Sequence, residues 1–186
     1  MNTKDQILAV AIKLFAQKGY HSTSIRDIAT AAAVNSSMVG YYFHSKENLY
    51  LTIFESFRND YLDQFENNHT GQKSGDYLLQ FINESISFSL AHQNILLLFF
   101  TEQIFRINQP VWSAIEEIRL HHYKLFLDTI ADQATHSDNL KNWEWKYFSL
   151  FNNLRSCIVA QRLDKQPEVA LDLMYFTVEK FFGSKS

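Results

Sequence analysis

Residues 19–49 read GYHSTSIRDIATAAAVNSSMVGYYFHSKENL, and the reading of this stretch decides how the rest of the chain is understood. Thr23 or Ser24 supplies an N-cap, and Ser24 followed three residues later by Asp27 approaches a capping box at the start of Ile25-Arg26-Asp27-Ile28-Ala29. Ala31-Ala32-Ala33-Val34 carries that helix into a break, where Asn35 caps a second short helix holding Ser36, Ser37, Met38, Val39, Tyr41 and Tyr42. Two short helices joined tightly fit a helix-turn-helix, whose second helix enters the DNA major groove with its N-terminal residues at base edges. Small polar residues at that start permit close approach. Ser36, Ser37, Met38 and Tyr41 are the candidates for base edges, and Thr23, Tyr42 and Lys46 for phosphates. On spacing alone, a capped helix pair inside a helical core fits equally well.

The residues also carry a resemblance. A leading helix closes on Gly19-Tyr20, and Thr23 precedes Asp27-Ile28-Ala29. Ala32-Ala33-Val34 forms a turn, and a second helix closes on Tyr41-Tyr42-Phe43 with Ser45-Lys46-Glu47 and Leu49. This order resembles the DNA-binding head of the TetR family of bacterial transcriptional repressors. It differs from the family pattern at Ala33, where Gly is usual, and at Gly40, where Tyr is usual. A left-handed turn at Ala33 would cost roughly 1–2 kcal/mol. The resemblance implies a homodimeric, all-α regulator with a three-helix head at residues 1–46 and a helical effector-binding and dimerisation body at 47–186. It implies a palindromic operator on double-stranded DNA and a small-molecule effector, with no cofactor and no catalysis.

Composition agrees with a helical, packed chain: 186 residues are 46% hydrophobic, with two prolines and five glycines between long stretches of helical periodicity. The pattern predicts about nine helices in total. The N-terminal residues lack an apolar targeting core, and the longest apolar run, Ile95 to Phe100, is far below the roughly 20 residues that span a bilayer. The expectation is a soluble, cytoplasmic protein without a membrane partner. A single Cys157 excludes an intrachain disulfide framework. Charge is divided: residues 1–50 carry +2, leaving −5 for the remainder of the total of −3, so the head is mildly basic and the body acidic. That polarity suits a chain that meets phosphate at one end only.

In chain order, Thr3 to Lys18 is the first helix, with Thr3 and Gln6 as a capping pair and Leu8, Ala11, Ile12 and Phe15 as its apolar stripe. Gly19 ends it. A long helix follows from Lys46 to Phe65, then a polar loop from Asn67 to Gly75. Further helices are predicted at about 76–91, 94–107 and 111–134, with Pro110 in the first turn of the last and a polar stop at 135–139. The final pair, about 140–163 and 167–182, is apolar over more than one face and therefore needs burial on more than one side. The family resemblance assigns this pair to a four-helix dimer interface, with Phe151, Leu154, Ile158, Met174, Phe176 and Phe181 as its candidates.

Other chemistry is thin. His121 and His122 are adjacent, point about 100° apart on a helix, and so cannot share a metal as an i, i+4 pair does. No phosphate loop, nucleophile elbow or paired-cysteine motif is present. Glu102 stands out after Leu96-Leu97-Leu98-Phe99-Phe100. It is read as a solvated residue, a helix-helix hydrogen bond, or one polar wall of a ligand cavity. Of 28 aromatic residues, 22 lie beyond residue 50. Rings at helical spacing serve a core or line an apolar pocket. Phe57, Tyr61, Phe99, Glu102, Trp112, Tyr123 and Phe148 are the pocket candidates. The rival classes are a helical hydrolase or metal protein, for which no nucleophile, base or ligand constellation is recognisable, and a helical protein-interaction module or ligand-binding protein without sequence-specific DNA binding.

Overall fold

The computed structural model describes residues 2–66, 77–130, 145–149 and 151. Among them the chain is helical without strands: α1 (Thr3–Lys18), α2 (Ile25–Ala31), α3 (Ser36–Phe43), α4 (Lys46–Glu66), α5 (Tyr77–Ala91), α6 (Gln93–Phe105) and α7 (Gln109–Ile130). Residues 145–149 and 151 are helical as well. This is the all-α class expected from periodicity. The loop expected at 67–75, the stop at 135–139, the helix at 167–182 and most of that at 140–163 lie outside the described residues, as do Leu154, Cys157, Ile158, Met174, Phe176 and Phe181.

Local chemistry explains where each of the first three helices starts and where the first two end. Asn2, not Thr3, caps α1, its side chain accepting the Asp5 N–H at 2.9 Å. Gln6 is thereby released from the expected capping pair and instead donates to the Ala32 carbonyl at 2.9 Å, tying α1 to the end of α2. Of the expected stripe of α1, Ala11 and Phe15 are buried, joined by Ile7, while Leu8 and Ile12 are half-buried. Gly19 ends α1 at φ +84°, a conformation that favours glycine, with its N–H on the Phe15 carbonyl. The capping box of α2 is complete: Ser24 Oγ accepts the Asp27 N–H at 3.1 Å, and Asp27 Oδ2 accepts the Ser24 N–H at 2.8 Å. These bonds to Ser24 hold the Asp27 carboxyl below the usual range.

The connection between α2 and α3 passes through Ala33 at φ +52°, so the left-handed turn anticipated at this position is present on an alanine. The Val34 N–H closes it on the Ala29 carbonyl at 2.9 Å. Asn35 then caps α3 by accepting the Ser37 N–H at 3.0 Å. Ile7, Ala11, Phe15, Ile28, Ala29, Ala32, Val39, Phe43 and Leu49 are all buried, so α1 and the start of α4 supply the apolar surface that two short helices lack.

Two compact units are formed, one drawn from residues 1–70 and 94–119, the other from 71–93 and 120–186. In the first, α4 buries Leu49, Tyr50, Ile53, Phe54, Phe57, Tyr61 and Phe65, a three- and four-residue spacing that fills one long face. The buried residues of α6 are Ile95, Leu98, Phe99 and Glu102, so Glu102 occupies the position at which the same face demands another apolar side chain. In the second unit, Phe81, Ile82, Ser85 and Ile86 of α5 are buried, as are His122 and Phe126 of α7 and Tyr147. Among the described residues, no helix is long and apolar enough to cross a membrane.

Candidate nucleic-acid interface

Helix α3 is divided lengthwise by burial. Val39 and Phe43 face the core, while Ser37, Met38, Gly40 and Tyr41 are exposed, Tyr41 at 77%. Such large exposure is unusual for a ring on a short helix. Tyr42 is half-buried and meets Tyr41 edge to face at 5.2 Å, which limits the directions both phenols can take. Ser36 is partly covered, and the Ser37 hydroxyl stands free of the cap that holds its N–H. The exposed strip thus combines a hydroxyl, a thioether and a phenol with no side chain at Gly40, a surface suited to groove edges.

Lys46 opens α4, three residues after the end of α3. Its Nζ lies 4.3 Å from the centroid of the Tyr20 ring, a cation–π contact. Tyr20 Oη donates to Glu47 Oε1 at 3.2 Å, and burial, followed by the Glu47 charge, pushes the phenol up to about 12. Glu47 is held below the usual carboxylate range, first by a backbone hydrogen bond of its own residue and then by Ser45 and Tyr20.

Thr23 requires a correction. It was expected at a phosphate, yet its side chain is 1% exposed and its hydroxyl donates to the Gly19 carbonyl at 2.8 Å, with the Leu14 carbonyl at 3.4 Å. The residue binds the last turn of α1 to the entry of α2, and its hydroxyl is spent inside the protein.

The pocket candidates divide between the two units. Phe57, Tyr61, Phe99 and Glu102 of the first unit are buried, with Phe57 and Phe99 edge to face at 6.5 Å. Trp112 is half-buried beneath the Arg106 guanidinium, 4.5 Å from its ring centroid. Tyr123 and Phe148 belong to the second unit, where their rings stack at 6.3 Å and 18°. Glu102 is 0% exposed, which removes the solvated reading. Its Oε2 accepts the Asn108 N–H at 3.3 Å, Oε1 meets no partner at full hydrogen-bond geometry although the Tyr50 phenol stands close to the carboxylate, and burial raises its titration above the ordinary carboxylate value.

Sequence reading missed one polar group in the second unit. Ser85 Oγ donates to the Phe81 carbonyl at 2.8 Å and lies 3.1 Å from His122 Nε2, and His122 Nδ1 lies 3.1 Å from Tyr147 Oη. All three side chains are buried, under the rings of Phe81 and Phe151 at 5.0 and 4.5 Å from the imidazole. The helical period places Ser85 and His122 on buried faces, but nothing local in the sequence pairs residues 37 positions apart. Phe151, expected at a dimer interface, is half-buried and packs on His122 and Tyr147, each at 4.5 Å.

Residues 7–53 match the sequence family described as bacterial regulatory proteins, tetR family. The "Probable HTH-type transcriptional regulator YttP" of Bacillus subtilis is 34% identical over 98 residues, 51% of this chain and 47% of that protein. The negative transcriptional regulator IcaR of the biofilm operon icaADBC in Staphylococcus epidermidis is 34% identical over 79 residues, 42% of this chain and 43% of that protein. The chain therefore spans about half the length of these curated relatives. Over nearly the whole chain the fold is similar to that of the transcriptional regulator FadR from Bacillus subtilis in complex with stearoyl-CoA. The TM-score is 0.71 at 18% identity, with 97% of this chain and 98% of that chain covered.

Proposed function

We propose that the protein is a DNA-binding transcriptional repressor of the TetR kind working in the cytoplasm, a reading supported by the match of residues 7–53 to the tetR family of bacterial regulatory proteins. The observation that carries the proposal is the exposed strip of α3, with Ser37, Met38 and Tyr41 turned outward, followed by Lys46 seated on Tyr20 at the start of α4. Ser36, Ser37, Met38 and Tyr41 meet base edges, and Tyr42 and Lys46 meet phosphates. Repression is favoured over activation because IcaR, one of the matched relatives, is a negative regulator. The domain division follows the same logic, with residues 1–46 reading DNA and 47–186 serving effector binding and dimerisation.

A twofold dimer built on residues 140–182 is part of this reading, because a symmetric pair of recognition helices demands a palindromic site with half-sites about one helical turn apart. The effector is small and apolar or aromatic, matching the rings of the body, and the acyl chain carried by FadR is an example of such chemistry in a similar fold. Selection of bound duplexes from a random pool tests the proposal. A palindrome should emerge and Tyr41→Ala should lose it. No enrichment would leave the rival, a helical interaction or ligand-binding protein without sequence-specific DNA binding. Sedimentation tests the dimer: the wild-type chain should sediment as a dimer and Phe176→Glu as a monomer, whereas an unchanged dimer removes that helix from the interface.

A further inference from the structure

Lys46, the candidate phosphate-binding cation, has a defined seat for its side chain before DNA arrives. Its ammonium rests on a ring that is itself fixed from three sides. Phe15 lies 5.7 Å from Tyr20, Tyr50 lies 4.7 Å away, and Glu47 Oε1 accepts the phenol proton at 3.2 Å. Tyr20 in turn follows Gly19, whose φ of +84° turns the chain out of α1. A free lysine side chain loses considerable rotamer entropy when it settles on a phosphate. A ring face that already restricts it removes part of that cost.

We propose that Tyr20 is a positioning residue for DNA binding: its ring seats the Lys46 ammonium at the start of α4, so that the side chain loses less freedom when the cation meets a phosphate. This rests on the DNA-binding function proposed above. Tyr20 itself touches no DNA and acts only through Lys46.

The test is a double-mutant cycle on the selected duplex. Tyr20→Leu should weaken binding about 2- to 5-fold, the equivalent of an exposed cation–π contact, and should weaken it no further when Lys46→Met is already present. Tyr20→Phe keeps the ring and should restore the coupling to Lys46. Equal losses in the two Lys46 backgrounds would show that Tyr20 serves only the packing of the head, and would overturn the proposal. A readout without DNA is the NMR shift of the Lys46 Cε protons, which the ring should displace upfield in the wild type and in Tyr20→Phe. An undisplaced resonance would also overturn it. Should Tyr20→Leu fail to fold, a pentafluorophenylalanine at position 20 keeps the shape and depletes the ring face. It should then bind DNA more weakly than Tyr20→Phe, and equal affinity counts against the seat. A wild-type chain that selects no duplex refutes the DNA-binding function, whereas a wild type that binds with an additive cycle refutes only the role of Tyr20.

Discussion

Tyr50 of α4 and Glu102 of α6 face each other inside the first unit: the phenol and the carboxylate couple through charge and a weak hydrogen bond that falls short of full geometry, and no better-placed partner meets either the phenol oxygen or Glu102 Oε1. Burial raises the titration of both groups, and the carboxylate charge raises the phenol further. Buried polar atoms left in this state are costly, and a carboxylate more so when charged.

The pH dependence follows from the direction of the Glu102 shift. Its folded pKa stands above its unfolded value, so the unfolded chain gives up this proton at lower pH than the folded one. The contribution to stability is complete below the unfolded pKa and is lost as pH rises through the folded pKa. Glu102→Gln has no such proton. The variant should gain stability relative to wild type as pH rises above the ordinary carboxylate range, with the two converging toward acid. Chemical denaturation across that range checks it. A difference that stays constant with pH would show that the Glu102 charge is not the destabilising element.

Ala33 holds φ +52° with its N–H on the Thr30 carbonyl at 3.1 Å. An L residue there costs roughly 1–2 kcal/mol, partly offset in glycine by the greater entropy of the unfolded chain. Ala33→Gly should therefore stabilise the head by about 0.5–1 kcal/mol. Thermal unfolding monitored in the head measures it, and a loss of stability would mean that the Ala33 methyl contributes packing that its exposure does not show.

Gly40 presents the opposite case. It lies in the middle of α3 at an ordinary helical φ, is exposed, and a Cβ built on it meets nothing within 4 Å. Gly40→Ala should raise stability by about 1 kcal/mol. If α3 enters the groove, the added methyl also stands where backbone and DNA approach each other, so operator affinity should fall while stability rises. Stability and affinity rising together would place Gly40 away from the DNA.

What was legible in the sequence tracks how local its cause is. The α2 capping box, the Gly19 stop and the Ala33 turn depend on neighbours within a few residues, and all could be anticipated from the chain itself. Which residue joins Ala11 and Phe15 in the α1 stripe could not, because Leu8 and Ile12 are as apolar as Ile7, and only the packing of α2 and α4 selects among them. Glu102 was ambiguous for a similar reason. Residues 95–100 are apolar all round, so the sequence does not reveal which side of α6 is buried. Thr23 was misplaced because a threonine at a helix entry looks the same whether its hydroxyl turns toward solvent or back to α1.

A repressor released by its effector must obey reciprocal linkage, which gives the proposed mechanism a strict test. α4 begins at Lys46, among the proposed DNA contacts, and runs to Glu66, burying Phe57 and Tyr61 on the way. A ligand that fixes its pocket-side end in a new orientation displaces the head, and two displaced heads no longer match half-sites about 34–36 Å apart. Such coupling typically amounts to about 1–3 kcal/mol, or roughly 5- to 150-fold in affinity. By the same factor, operator DNA must weaken effector binding. A small molecule found by thermal stabilisation should therefore bind the free protein more tightly than the protein–DNA complex. Equal affinities would exclude that ligand as the inducer, because a ligand without differential affinity shifts no equilibrium. Tighter binding to the complex would make it a co-repressor.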